Sequence, residues 1–370
     1  MDNPIQQAQR LGQSIWLDNV GRGLLSSGEM ARLIALGITG ATSNPTIFEK
    51  AIDGTTDYDQ ALKELALAGT GTQEIYEELT QADIRATADL LRPIYEERKG
   101  ADGYVSLEVN PALAHDTEGT VAEAQRLFQA LARPNVMIKV PATAEGIPAI
   151  RRLIAAGVNV NVTLIFSLEV YRQVAEAYIG GLEGRAAAGG EVAKIASVAS
   201  FFVSRVDTAV DRLLQQRFSQ GQAESQGLLG RAATANAKLA YQRFKAIFGA
   251  ERFASVKAQG ARAQRPLWAS TSTKNPAYSD VMYVEPLIGP HTVNTMPPVT
   301  LQAFLDHGKA AVTLEQGVGE AEELMQTLAA AGIDMEQVTS DLLTEGIRLF
   351  ADSFDKLLRG IEEKRARLAG

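Results

Sequence analysis

Apolar and polar positions alternate in two rhythms along the chain. Short runs of period two, or of nearly continuous apolar character, read as strands: IWLDNV (15–20), GITGATS (37–43), GYVSLEV (103–109), VMIKVPA (136–142), VNVNVTLIF (158–166), KIASVASFF (194–202), PLWASTS (266–272) and YVEPLIG (283–289). Between them the apolar residues recur every three or four positions. Leu127, Phe128 and Leu131 follow Val121 and Ala124 at helical spacing, with Thr117 as the expected cap. Ile147, Ile150, Leu153 and Ile154 form a second stripe, closed by Gly157. Residues 72–99 and 225–248 predict long helices. In the tail, Leu343, Ile347, Phe350, Phe354, Leu357 and Ile361 step by four and three, which predicts an amphipathic helix packed on the body near the sheet's mouth. Alternating strands and helices call for a parallel sheet, and eight strands suit a closed α/β (β/α)8 barrel. The expectation is one barrel domain over 1–370, with a C-terminal helical extension from about 334. A doubly wound open sheet is the alternative, but no GxGxxG follows the first strand.

Side chains of successive strand residues face opposite sides. The outer face of a barrel strand packs on helices and should be apolar. Val158, Val160, Val162 and Leu164 are therefore expected outward, and Asn159, Asn161, Thr163 and Ile165 inward. The same rule sends Val136, Ile138 and Val140 outward and Met137 and Lys139 inward. Ser106 and Glu108 go inward from the third strand; Trp16 and Asp18 share one face of the first. The interior thus gathers Asp18, Glu108, Lys139, Asn161 and Thr163, mostly towards the strand C-termini, where barrel enzymes keep their chemistry.

A lysine facing that end has a use. Burial disfavours the ammonium, and the neutral amine is a nucleophile towards carbonyl carbon. Attack and loss of water give a Schiff base, whose electron-withdrawing iminium lets a C–C bond beta to it break or form. Glu108 and Asp18 are candidate proton carriers; Asn161 and Thr163 can orient hydroxyls or a water. The inventory describes a lysine-dependent aldol enzyme acting on sugars. Each residue also has a structural reading: Glu108 as the ion-pair partner of Lys139, Asp18 bonding backbone at a strand end, Asn161 and Thr163 capping loops.

Composition narrows the field. The chain has 46% hydrophobic and 22% charged residues and a formal net charge of −8, from 36 basic and 44 acidic side chains. A net negative charge argues against broad nucleic-acid binding while leaving room for local sites that take anionic small molecules. There is no cysteine, which removes disulfides, thiolates and cysteine–zinc sites. The three histidines, His115, His291 and His307, lack metal-ligand spacing and are expected on loops or the surface, so no metal is expected. No G-x-S-x-G occurs. A polar N-terminal stretch without signal-peptide pattern, and no apolar run of membrane-spanning length, lead to the expectation of a cytoplasmic protein with no membrane partner.

The stretches ATSNPTIFEKAI (41–52), SLEVNPALAHDT (106–117), NVMIKVPATAEGI (135–147), NVNVTLIFS (159–167), SVASFFVSRVD (197–207) and WASTSTKNPAYSD (268–280) stand in the order found in transaldolases. The chain resembles that family over almost its whole length, in its longer bacterial subgroup. The resemblance implies a class I aldolase-like barrel with its Schiff-base lysine on the fourth strand, where Lys139 lies. It implies transfer of a dihydroxyacetone unit from sedoheptulose 7-phosphate or fructose 6-phosphate to glyceraldehyde 3-phosphate or erythrose 4-phosphate, without metal or organic cofactor. By motif position, Asp18 would carry the donor's C4-hydroxyl proton. Glu108 with Thr163 would hold the water of Schiff-base formation and release. Asn44 and Asn161 would bind the dihydroxyacetone hydroxyls, with Ser200 nearby. Arg205 matches a phosphate-binding arginine; its structural reading is a helix-start residue paired with Asp207. Shorter family members carry a second arginine where this chain reads ASTSTKN, so Lys274 would substitute, helped by Ser270 or Ser272, as a point charge without arginine's fork. A fructose-6-phosphate aldolase-like lyase and a non-catalytic barrel are the alternatives; the expected assembly is a monomer or homodimer.

Overall fold

The computed structural model describes residues 2–219 and 227–369. Eight parallel strands close into a barrel in sequence order: β1 (Gln13–Leu17), β2 (Gly40–Thr42), β3 (Tyr104–Glu108), β4 (Val136–Pro141), β5 (Val160–Ile165), β6 (Ser197–Phe202), β7 (Arg265–Ala269) and β8 (Thr292–Met296). Helices return the chain between most of them, giving the expected (β/α)8 barrel. The outer strand faces carry the buried Val105, Leu107, Ile138, Val140, Val160 and Val162. The pairs Glu108↔Lys139 and Lys139↔Asn161 put the three polar residues on one inner belt. Inside the barrel Trp16 lies against β2 at Gly40, where a Cβ would come within 2.5 Å of the indole. Only glycine lets the two strands pair around that ring.

Two expectations about the strands need correction. The register of β5 against β6 runs Val162↔Ala199 and then Ile165↔Phe201, so β5 spends three residues where β6 spends two. Leu164, at φ 59°, absorbs the extra residue. The bulge reverses the alternation beyond it. Ile165 therefore turns outward beside Phe201, and Leu164 lies at the mouth against Gly346. The eighth strand is not YVEPLIG but TVNTM. Tyr283, Val284, Leu287 and Ile288 are buried, yet their run contains Pro286 and forms a 3-10 turn over Glu285–Leu287. The true strand is masked in sequence because its outward positions are the polar Thr292 and Asn294. Thr292 is satisfied there by Gln13 and by the carbonyl of Gly289.

The helices follow their predicted stripes with shifted ends. The 72–99 pattern forms Thr72–Glu97. The 225–248 pattern forms Ala232–Gly249; its residues 225 and 226 lie outside the described residues. Asp116, not Thr117, caps Thr117–Leu131, by accepting the Gly119 N–H at 3.0 Å; Thr117 instead donates to the Glu145 carbonyl. Gly157 closes Gly146–Ala156 in the left-handed conformation, as its position predicts. The tail is one helix, Met335–Ala369, that buries Phe350, Phe354, Leu357 and Ile361. It lies along Pro45–Asp53 and Asp59–Leu67, tied by Thr46 to Ser353 and by Lys364 to Asp59. Among the described residues no helix is long and apolar enough to cross a membrane.

The loop before β8 is anchored by a buried carboxylate. Asp207, in the helix Ser204–Ser219, accepts the Ala233 N–H at 2.7 Å and the Tyr283 hydroxyl at 2.9 Å. Burial nevertheless pushes its carboxyl up to about 6 from 3.8. Between those values the native protein holds a proton that the unfolded chain has released. Its contribution to stability is therefore full below about pH 4 and is lost as pH rises towards 6. Two units correspond to about 3 kcal/mol. Urea unfolding of Asp207→Asn at pH 4 and pH 7 should show the wild type losing roughly that much relative to the variant on going to the higher pH; a constant difference would contradict it.

Candidate active site

The mouth of the barrel, at the strand C-termini, holds a cavity of about 270 Å³ with Lys139 in its wall. Lys139 is 5% exposed. Its Nζ donates to the Ser43 carbonyl at 3.0 Å and stands 3.3 Å from Glu108 Oε2. The Phe350 ring, from the C-terminal helix, covers it at 5.6 Å from the ring centroid. The side chain thus points where the alternation of β4 predicted.

Asp18, one residue beyond β1, also lines the cavity. Its backbone N–H still joins the ladder by donating to the Met296 carbonyl at 2.8 Å. Its carboxylate accepts the Thr42 hydroxyl at 2.6 Å, and Thr42 meets Thr295 at 2.7 Å. Burial pushes the Asp18 carboxyl up; the Thr42 hydrogen bond, Lys139 and Lys274 pull the other way. Burial also raises the Glu108 carboxyl, opposed by Lys139 and reinforced by Asp18.

Glu108 and Thr163 do not line the same space. Thr163 is fully buried in the wall of the mouth cavity, its hydroxyl without a hydrogen-bond partner. Glu108 borders a separate space of about 10 Å³, with Tyr76, Gln81 and Phe354 around it. That is about the room one water needs. Its Oε2, although near Lys139, lacks a well-aligned donor. Asn161 is likewise behind the wall: its amide donates to Ser106 at 3.0 Å and its carbonyl accepts the Ser200 hydroxyl at 2.7 Å. Ser200 itself reaches the cavity. Asn44 lines the cavity while its Oδ1 caps Pro45–Asp53 by accepting the Ile47 N–H at 3.0 Å. The T-S-N-P segment is therefore a helix start as well as part of the wall.

Cations ring the outer part of the cavity. Arg205, Lys274 and Lys50 all line it, and among the described residues none has a carboxylate within salt-bridge distance. Arg205 does not pair with Asp207, whose oxygens are taken by Ala233 and Tyr283; it lies over the Phe202 ring instead. Burial lowers the pKa of Arg205, and burial together with Arg205 lowers that of Lys274. Lys274 donates to Ser272 at 2.7 Å, and Ser270 meets Ser204 at 3.0 Å. Lys50, Thr42, Thr295 and Phe350 were not singled out by the sequence as site residues. Thr42 could have been, since it follows Gly40 by two positions on the inward face of β2. Lys50 lies one helical turn after Ile47 on a helix whose start was legible. His115, His291 and His307 are exposed and away from the cavity. Among the described residues no cluster of three or more His, Asp or Glu is placed to hold a metal ion.

The description Transaldolase/Fructose-6-phosphate aldolase belongs to the family model that matches residues 15–361. The chain belongs to this family. It is 48% identical to the transaldolase of Trichodesmium erythraeum over 99% of this chain and 98% of that protein. It is 50% identical to that of Saccharopolyspora erythraea over 95% of both chains, and 45% identical to that of Frankia alni over 99% of both. In this member of the family the mouth cavity brings together Asp18, Asn44, Lys139, Thr163, Ser200, Arg205, Ser272 and Lys274, while Glu108 and Asn161 stand directly behind Lys139 and Ser200.

The Thr42 hydroxyl stabilises the charged form of Asp18, so Thr42→Val should raise the Asp18 pKa further. Carbon-13 NMR titration of the aspartate carboxyls checks this; an unmoved or lowered Asp18 would refute the assignment.

Proposed function

We propose that this protein is a transaldolase that moves a dihydroxyacetone unit through a Schiff base on Lys139. The observation that carries the reading is a buried lysine amine facing a cavity that also holds Asp18 and opens through a ring of cations without carboxylate partners. In this reading the Lys139 amine attacks the C2 carbonyl of a ketose phosphate, and loss of water gives the iminium. Asp18 takes the C4-hydroxyl proton, the C3–C4 bond breaks, and its electrons pass into the iminium to form an enamine. The aldehyde leaves. An acceptor aldehyde takes its place, the enamine attacks it, and Asp18 returns the proton to the new hydroxyl. Hydrolysis then frees the product ketose.

Glu108 acts from behind Lys139, through a water held in the small space beside it, in forming and releasing the Schiff base. The unpartnered Thr163 hydroxyl lies in the wall of the same cavity as Lys139 and is free to bond a substrate hydroxyl or a water. Asn44 and Ser200 bind the dihydroxyacetone hydroxyls, and Asn161 fixes Ser200 in place. Arg205, with Lys274 and Ser272, takes the phosphate; charge without counter-charge is what a phosphate dianion would satisfy. Donors are sedoheptulose 7-phosphate or fructose 6-phosphate, and acceptors are glyceraldehyde 3-phosphate or erythrose 4-phosphate. The setting is the cytoplasm and the non-oxidative pentose phosphate pathway. The reading needs no cofactor.

Borohydride reduction in the presence of fructose 6-phosphate, followed by peptide mass spectrometry, should leave a three-carbon adduct on the peptide containing Lys139 and none in Lys139→Ala. Adding erythrose 4-phosphate before reduction should discharge it. No adduct on folded protein removes the reading; an adduct that water clears as fast as an acceptor does would make the protein an aldolase-type lyase. Arg205→Gln should raise KM for the donor by about 10- to 100-fold, the worth of one charge-assisted contact, with a smaller change in kcat. An equal KM for the wild type and variant would take Arg205 out of the phosphate site.

A further inference from the structure

A second cavity, of about 490 Å³, opens at the other end of the barrel. Four inward strand residues reach it: Tyr104 of β3, Met137 of β4, Val198 of β6 and Arg265 of β7. Two of these lie two positions before residues lining the mouth cavity, Lys139 and Ser200, and Tyr104 lies two before Ser106, which bonds Asn161 behind that wall. Two strand residues advance about 7 Å. The floor of this cavity is thus one side-chain layer beneath the active-site belt. Its outer wall is Phe244, Phe248 and Phe253, all buried.

The walls are apolar, but the charged residues lining the cavity are all basic. Lys245, Lys257, Arg262, Arg265 and His291 line it, and no Asp or Glu does. Lys245 is paired with Glu315, and Arg265 reaches Ser14 at 2.7 Å and Asp102 at 3.5 Å. Arg262 spends its guanidinium on the carbonyls of Ala193 and Lys99. Among the described residues, Lys257 and Arg262 have no carboxylate within salt-bridge distance. Neutral donors to carbonyls would have served as well as a charge if the only task were to tie loops together.

We propose that this cavity binds an amphipathic organic anion: an aromatic or medium-chain aliphatic body against the phenylalanines, with a carboxylate or sulfonate at Lys257 and Arg262. The volume suits a small ligand of that kind. A sugar phosphate does not fit the chemistry, because its hydroxyls would lose water against Phe244, Phe248 and Phe253 without finding partners. A neutral lipid would leave the cationic rim unused.

The full chain, without any sugar phosphate, is titrated with 8-anilinonaphthalene-1-sulfonate and read by fluorescence, so the result is independent of the chemistry at the mouth. Binding should saturate at one site, and octanoate should displace the probe where 1-octanol does not. Lys257→Glu, a change on the surface, should weaken octanoate roughly 2- to 5-fold, the scale of one exposed charge. Ala261→Phe should fill the cavity and abolish probe binding, with circular dichroism to check folding. If Ala261→Phe does not fold, Lys257→Glu alone decides. No saturable binding to the folded wild type, octanol competing as well as octanoate, or octanoate affinity unchanged in Lys257→Glu would each overturn the proposal.

Discussion

Everything at the barrel mouth depends on keeping an ammonium group out of water. Removing such a group from solvent costs several kcal/mol, even after relaxation. The fold meets that cost with one carbonyl, Ser43, and one carboxylate, Glu108, each delivered by a neighbouring part of the sheet. Ser43 follows β2, Glu108 ends β3 and Lys139 lies on β4, so the three meet only if the register of three parallel strands is right. A slip of one residue would turn Lys139 into the helical layer, where Ile138 and Val140 now pack. The buried ion pair therefore acts as a register key, and the same desolvation that makes it costly raises the proton affinity of Asp18 and Glu108. Packing and chemistry draw on one physical effect.

The interior is divided along its axis. Towards the strand C-termini it is polar, with Asp18, Thr42, Ser200 and Thr295 around Lys139. Towards the N-termini it is large and aromatic, with Trp16 and Tyr104, and its one deeply buried acid, Asp102, is consumed by Ser14, Trp16 and nearby arginines. Among the described residues, cations without a carboxylate partner line the cavities at both ends.

Much of this was legible because a barrel strand has one face that must be apolar. Wherever the outer face obeyed, as in β3 and β4, period-two alternation placed Glu108 and Lys139 inward without further information. It failed where the backbone or the outer face broke the rule. Leu164 adopts a left-handed conformation that no hydrophobic pattern records, and it reversed Ile165. β8 carries Thr292 and Asn294 outward, so the apolar YVEPLIG run outcompeted it. Roles depending on distant chain segments were also hidden. Asn44 caps a helix besides facing the cavity, Glu108 borders a small space of its own, and Phe350 looked like one more residue in a core stripe. Local pattern identifies faces; it does not say which face of which element a residue far along the chain will cover.

Phe350 reaches Lys139 from roughly 200 residues further along the sequence, on a helix encoded after all eight strands. Chains emerge from the ribosome N-terminus first, so the barrel can close before that helix exists. The Phe350 cover over Lys139 can form only when the last helix docks, and that helix's fully buried Leu357 and Ile361 supply apolar surface that offsets the loss of water around the charge. Part of the cover over the active-site lysine is thus supplied by the last segment of the chain to be made.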